Sequence, residues 1–146
     1  MKIDGTRSND RATEVVLAYL AAMNRADWAA VLGLVADDVI HDFDGGTREI
    51  GKAAFAAGLR DRAAHREQLT EVVVMSSPDG ARAAVEYLAR GEAESTNAAV
   101  ALGTTENRYP RPGGLFFGVR DGLIERVSNY QGRPEPDPAS SGGPTQ

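Results

Sequence analysis

The hydrophobic period of this chain gives way from helical to β-rich near residue 66, and that change limits what it can fold into. Before it, apolar residues recur every three or four positions. Val15, Ala18, Tyr19, Ala22 and Met23 form one stripe, the pattern of a helix facing a core. Asn9 or Asp10 can cap its start, and Asn24 stands near its end. Trp28, Val31, Leu32 and Val35 make a second, shorter stripe, closed by Asp37 and Asp38. Phe55, Leu59 and Ala63 predict a third helix over about 52–64. After residue 66 the runs are β-rich and bounded by turn signals. Residues 69–75 hold three consecutive valines and read as a largely buried strand. Ser77-Pro78-Asp79-Gly80 turns that run back into 81–92. Asp121-Gly122 joins 114–120 to 123–130 as a two-residue hairpin. Helices followed by a meander of antiparallel strands give an α+β layout, one sheet curling over a helical layer.

Within the first half, between the second and third helices, lies VADDVIHDFDGGTREIG, residues 35–51. A short apolar strand, 39–43, carries acids, a histidine and a phenylalanine. Gly45-Gly46 ends it, and a second strand follows at 47–50. This stretch reads as the lip of a pocket. Residues 1–8 are polar and expected to be loose, 9–131 form the domain, and 132–146 read as a disordered tail rich in Pro, Ser and Gly. Residues 93–107 are small and polar, as in a loop over an opening.

Composition removes several function classes. With 146 residues the chain fits one domain with a proper core. A formal charge of −5 argues against nucleic acid or an anionic membrane as partner. No cysteine is present, which excludes disulfides and thiolate chemistry, and a reducing cytoplasm suits such a chain. No apolar run approaches the ~20 residues that span a bilayer, and the N-terminus lacks the apolar core of a secretory signal. The two histidines, His41 and His65, have no metal-ligand spacing. Neither a phosphate-cradling glycine loop nor a nucleophile elbow appears. No metal or cofactor is therefore expected.

Strand alternation sorts the candidates. If Phe43 points inward, so do His41 and Val39, and Asp42 points away. Asp44 joins the inner face only if extended geometry stops after Phe43, which the glycine pair permits. His41 is the best single candidate for a general base, because imidazole titrates near ~6.5. Asp44 can orient it or act in its place, and Asp42 is a further acid at the site. Each also has a plain structural reading: a hydrogen-bonded strand histidine and two turn aspartates. Glu86 and Arg90 share one strand face, which is either a polar pocket wall or solvated surface. Asn129 or Tyr130 can donate to a substrate oxygen. Phe43, Phe116, Trp28 and Tyr109 are candidate apolar contacts, with Trp28 equally suited to packing the helical layer.

The run VVLAYLAAMNRADWAAVLGLVADDVIHDF (15–43) resembles the opening of ketosteroid isomerases and their nuclear transport factor 2-like (NTF2-like) relatives, among them the SnoaL-like polyketide cyclases. EIGKAAFAAGL (49–59), the VVVM strand with its PDG turn (72–80) and LFFGVRDGLIERVSNY (115–130) extend the resemblance over about 10–131. HDFDGGTREIG looks most like isomerase-related members, not true steroid isomerases. The resemblance implies an NTF2-like, cystatin-like cone: a curved antiparallel sheet wrapped around three N-terminal helices, with an apolar pocket. It also implies a homodimer through the outer sheet face. The implied partner is a small hydrophobic polyketide, terpenoid or steroid-like molecule. The implied chemistry is cofactor-independent isomerisation, cyclisation, dehydration or epoxide opening, with non-catalytic ligand binding as the alternative. In ungapped register the isomerases' helical oxyanion tyrosine falls on Tyr19, and their general-base position falls on Phe43. Their second oxyanion acid falls in Gly113-Gly114-Leu115-Phe116, where no acid stands. Steroid isomerisation by the same residues is therefore not expected.

Overall fold

Two tight turns set the long half of the sheet. At Asp121 and Gly122, φ is 54° and 75°, the left-handed pair that matches the twist of a two-residue hairpin. At the other turn Gly80 has φ 71°. There the Asp79 carboxylate accepts from Ser77 Oγ at 2.7 Å and from the Ala81 amide at 2.9 Å. These donors hold the Asp79 carboxyl below its ordinary range.

The computed structural model describes residues 2–43, 45–62, 67–91 and 110–132. Asp44, His65, Tyr109, the expected loop at 93–107 and the tail beyond 132 lie outside them. The elements are α1 (Lys2–Asn24), α2 (Trp28–Gly33), β1 (Val35–Phe43), β2 (Thr47–Ile50), α3 (Lys52–Arg62), β3 (Glu67–Ser76), β4 (Arg82–Gly91), β5 (Arg111–Arg120) and β6 (Leu123–Gln131). The strands form one sheet in the order β2-β1-β6-β5-β4-β3. No helix is long and apolar enough to cross a membrane.

The sheet is mixed, which corrects the expectation of a wholly antiparallel one. β1 runs parallel to β6, with His41 opposite Val127; every other pairing is antiparallel. The parallel pair arises because the chain leaves β1 for α3 and the long meander before returning beside it. Register shifts interrupt β1 between Val35 and Ile40, β3 between Thr70 and Val73, and β5 against β6 after Gly118. Glu71, at the β3 shift, has φ 51°. Such bulges bend a strand and sharpen its twist, and here they curve the sheet over the helices.

Val16 and Leu20 of α1, Val31 of α2, and Phe55 and Leu59 of α3 meet Val39, Val85, Phe117, Ile124 and Val127 in one buried core. α1 lies across β3 and β4, and α3 lies on β1 and β2. Asn24 locks α1 to the open edge of β3. Its amide donates to the Leu69 carbonyl at 3.0 Å, and its Oδ1 accepts from the Leu69 amide at 2.8 Å. That pairing covers part of an otherwise exposed strand edge.

Two boundaries and the burial of one strand differ from expectation. α1 begins at Lys2 rather than near Asp10; no proline interrupts the stretch, and one interior glycine costs a helix only about 1 kcal/mol. β1 begins at Val35, so Asp37 and Asp38 sit in its bulged part, facing Lys52 at 3.5 Å and Arg120 at 3.1 Å. β3 is an edge strand, and Val73 and Met75 are exposed on its outer side. Consecutive valines do not reveal whether both faces of a strand are covered.

Candidate active site

The β1–β2 hairpin builds the site. Its loop closes with the Gly46 amide on the Phe43 carbonyl at 3.2 Å. Gly45 and Gly46 have φ 69° and 156° there, values that favour glycine. From this closure the register runs Phe43 opposite Thr47, Asp42 opposite Arg48 and His41 opposite Glu49. Directly opposed residues bring their Cβ atoms within about 5 Å, so a glutamate reaches a histidine without strain.

His41 is 6% exposed, one of the few buried polar residues. Its Nδ1 lies 2.9 Å from Glu49 Oε1. An ionised carboxylate only accepts, so this bond places a hydrogen on Nδ1. The imidazole stacks on Phe43, centroids 4.6 Å apart and planes at 20°, and meets Phe55 of α3 at 5.3 Å. A carboxylate and two aromatic rings thus fix the ring in tautomer and tilt. Such an arrangement can take a proton from a neighbouring carbon or oxygen and return it.

α3 leaves room for the pair at Gly58. A Cβ built there would overlap the Glu49 carboxylate. Alanine in place of an interior helical glycine ordinarily stabilises by about 0.5–1 kcal/mol. Gly58→Ala is expected to forfeit that gain, because the methyl drives Glu49 off His41. Urea titration of the variant checks this; a midpoint raised by the full helical gain would contradict it.

Asp42 points the other way, as alternation requires. Arg48 Nε and Nη2 reach its two carboxylate oxygens at 2.6 and 3.1 Å, and Arg126 Nη2 adds a contact at 2.9 Å. The hydrogen bond from Arg48 is the leading cause that holds its carboxyl below the ordinary range. A carboxylate so stabilised as the anion is a poor proton acceptor. Glu86 and Arg90 are exposed on the same outer face, with Arg90 turned to Glu71 at 3.4 Å. Phe116 and Tyr130 are there too, 51% and 59% exposed and edge-to-face at 5.8 Å. These five residues are not brought together with His41. An open depression of about 1270 Å³ lies on this outer face, lined in part by Ile40, Met75, Phe116, Arg126 and Tyr130.

On the inner face, Tyr19 is buried and meets Phe117 edge-on at 5.4 Å. Trp28 packs half-buried against the core. Asn129 accepts the Tyr87 hydroxyl hydrogen at 2.7 Å. Burial pushes the Tyr87 phenol up to about 12. A phenol raised in the folded state contributes stability that is fully present below its ordinary value of about 10. That contribution is lost as pH rises toward about 12. Native-state tyrosinate absorbance should therefore show a tyrosine ionising above the ordinary range, and Tyr87→Phe should remove that step. Among the described residues no cluster of three or more side chains has the makings of a metal site.

Glu49, Gly58 and Tyr87 escaped the sequence reading. Counting back from a hairpin closed at Phe43 and Thr47 would have found Glu49 opposite His41. Gly58 and Tyr87 carry no comparable local signal.

The fold and the hairpin geometry invite comparison with known proteins. The family model described as a SnoaL-like domain matches residues 16–127. The chain belongs to the SnoaL-like family. A Xanthomonas campestris protein described provisionally as a polyketide cyclase is 40% identical, covering 84% of this chain and 91% of its own, with TM-score 0.71. A Pseudomonas putida protein with the same description is 39% identical over 82% of this chain and 90% of its own, with TM-score 0.69. A Kribbella flavida protein described provisionally as a ketosteroid isomerase shares the fold at 19% identity, covering 94% of this chain and 90% of its own, with TM-score 0.65. No curated protein sequence matches the chain. As a SnoaL-like domain it has the NTF2-like architecture that the resemblance implied.

Proposed function

We propose that this SnoaL-like protein is a cofactor-independent acid–base enzyme acting on a small hydrophobic oxygenated molecule of polyketide, terpenoid or steroid-like type. His41 is the general base and Glu49 its positioning residue. The observation that carries this reading is the part-buried His41–Glu49 pair, 2.9 Å apart, with the His41 ring bounded by Phe43 and Phe55. With Nδ1 committed to Glu49, Nε2 is the nitrogen that takes a proton from carbon next to a carbonyl. The electron pair of the broken C–H bond moves onto oxygen as an enolate. Return of the proton at another position gives isomerisation; attack of the enolate carbon on a second carbonyl gives cyclisation. The two relatives near 40% identity, both described as cyclases, support this class. The test is α-proton exchange in heavy water on an aryl methyl ketone, an aryl β-ketoester and a fused-ring enone, followed by proton NMR. Catalysed exchange on at least one supports the reading, and exchange at the buffer rate on all three refutes it.

We also propose a homodimer formed through the outer face of the sheet. Exposed Phe116, Tyr130, Val73 and Met75 supply apolar area there. Asp38, Glu125, Arg120 and Arg126 supply charges of both signs for a self-complementary rim. Light scattering should report a dimer that Phe116→Asp combined with Tyr130→Asp converts to monomer. A wild-type monomer would dispose of the idea.

A further inference from the structure

The side chain of Tyr87 crosses a strand. Tyr87 on β4 pairs with Gly113 on β5, while Asn129 sits on β6 opposite Leu115. Neighbouring strands lie about 4.8 Å apart, so the Tyr87 hydroxyl reaches over β5 to a residue two strands away. It does so because Gly113 has no side chain: a Cβ there would overlap the phenol. The bond to Asn129 Oδ1 is 2.7 Å.

Asn129 also stands in register with the base. His41 pairs with Val127, and Asn129 follows two residues later on the same face. Diagonal neighbours of this kind lie about 7–8 Å apart at the backbone. Tyr87 is buried, whereas Asn129 is partly exposed. With Oδ1 occupied by the phenol, the Asn129 amide nitrogen has two hydrogens to offer. The inner face thus presents a proton acceptor and, one step along, an oriented pair of N–H donors.

We propose that Asn129, oriented by Tyr87, binds the carbonyl oxygen of a hydrophobic ketone on the inner face of the sheet. This deepens the reading of His41 as base and rests on it for the chemical step. When His41 removes the α-proton, charge collects on the carbonyl oxygen, where an Asn129 N–H bond strengthens. Asn129 touches the substrate; Tyr87 is a positioning residue that fixes which way the amide faces. The ligand class is accordingly a flat apolar ketone.

The experiment compares acetylnaphthalene with its hydrocarbon isostere, isopropylnaphthalene, by titration calorimetry on the full chain. Wild type is expected to prefer the ketone by about three- to tenfold, the worth of one hydrogen bond. Asn129→Leu and Asn129→Asp should abolish the preference. Tyr87→Phe should reduce the preference without abolishing hydrocarbon binding, a selectivity that loss of packing alone would not produce. Circular dichroism melts confirm that each variant is folded. Absence of a ketone preference in wild type, or its survival in both Asn129 variants, overturns the proposal. An Asn129-dependent preference in a protein without exchange activity would refute His41 as base yet support the carbonyl site.

Discussion

Replacing His41 by glutamine is expected to lower proton-transfer turnover by about 10²–10⁴-fold, the usual contribution of a positioned general base. Glutamine is chosen because its amide can still donate to Glu49. Alanine would leave a carboxylate that is only 17% exposed without its 2.9 Å partner. Loss of a hydrogen bond costs about 0.5–1.5 kcal/mol, so lost activity would be confused with lost structure. With glutamine the hydrogen bond survives and the titratable nitrogen does not. Steady-state rates on whichever ketone shows exchange, together with a melting curve within a few degrees of wild type, check the prediction. Retention of more than about a tenth of the wild-type rate would place the base elsewhere.

The second large effect is on stability. Phe55→Ala is expected to cost about 3–5 kcal/mol. Phe55 is fully buried and joins α3 to β1 through the His41 ring at 5.3 Å. Domains of this size are stable by only about 5–15 kcal/mol, so the variant should unfold at much lower urea with little change in slope. Leu17→Ala is the internal contrast. Leu17 is 47% exposed on α1, and its loss should stay within about 0.5 kcal/mol. Comparable midpoints for the two variants would show that α3 does not anchor the site.

Much of this architecture was legible because it is written in local chemistry. The Asp121-Gly122 and Pro78-Asp79-Gly80 turns need left-handed backbone, and glycine supplies it. The α3 stripe matches the buried Phe55 and Leu59, and Tyr19 and Ala22 of the α1 stripe are buried, whereas Ala18 is exposed and the buried Val16 and Leu20 lay outside that stripe. Strand alternation placed His41 and Phe43 on one face and Asp42 on the other. What stayed hidden depends on contacts distant in sequence. The parallel pairing of β1 with β6 joins residues some eighty positions apart, and no periodicity encodes it. Val73 and Met75 of β3 point to the outer face of the sheet and are exposed, which consecutive valines do not reveal. Asp42 looked like chemistry because it is an acid beside a histidine; Arg48 and Arg126 make it an ion pair. Glu49 looked like an unremarkable strand acid until the hairpin register set it against His41.

The central claim is that the part-buried His41–Glu49 pair, and not the outer aspartate, moves the proton. The most direct measurement is α-proton exchange by NMR for wild type, His41→Gln, Glu49→Gln and Asp42→Asn under one set of conditions. Exchange should be lost in His41→Gln, fall in Glu49→Gln and remain at the wild-type rate in Asp42→Asn. Full exchange in His41→Gln, or loss in Asp42→Asn alone, would contradict it.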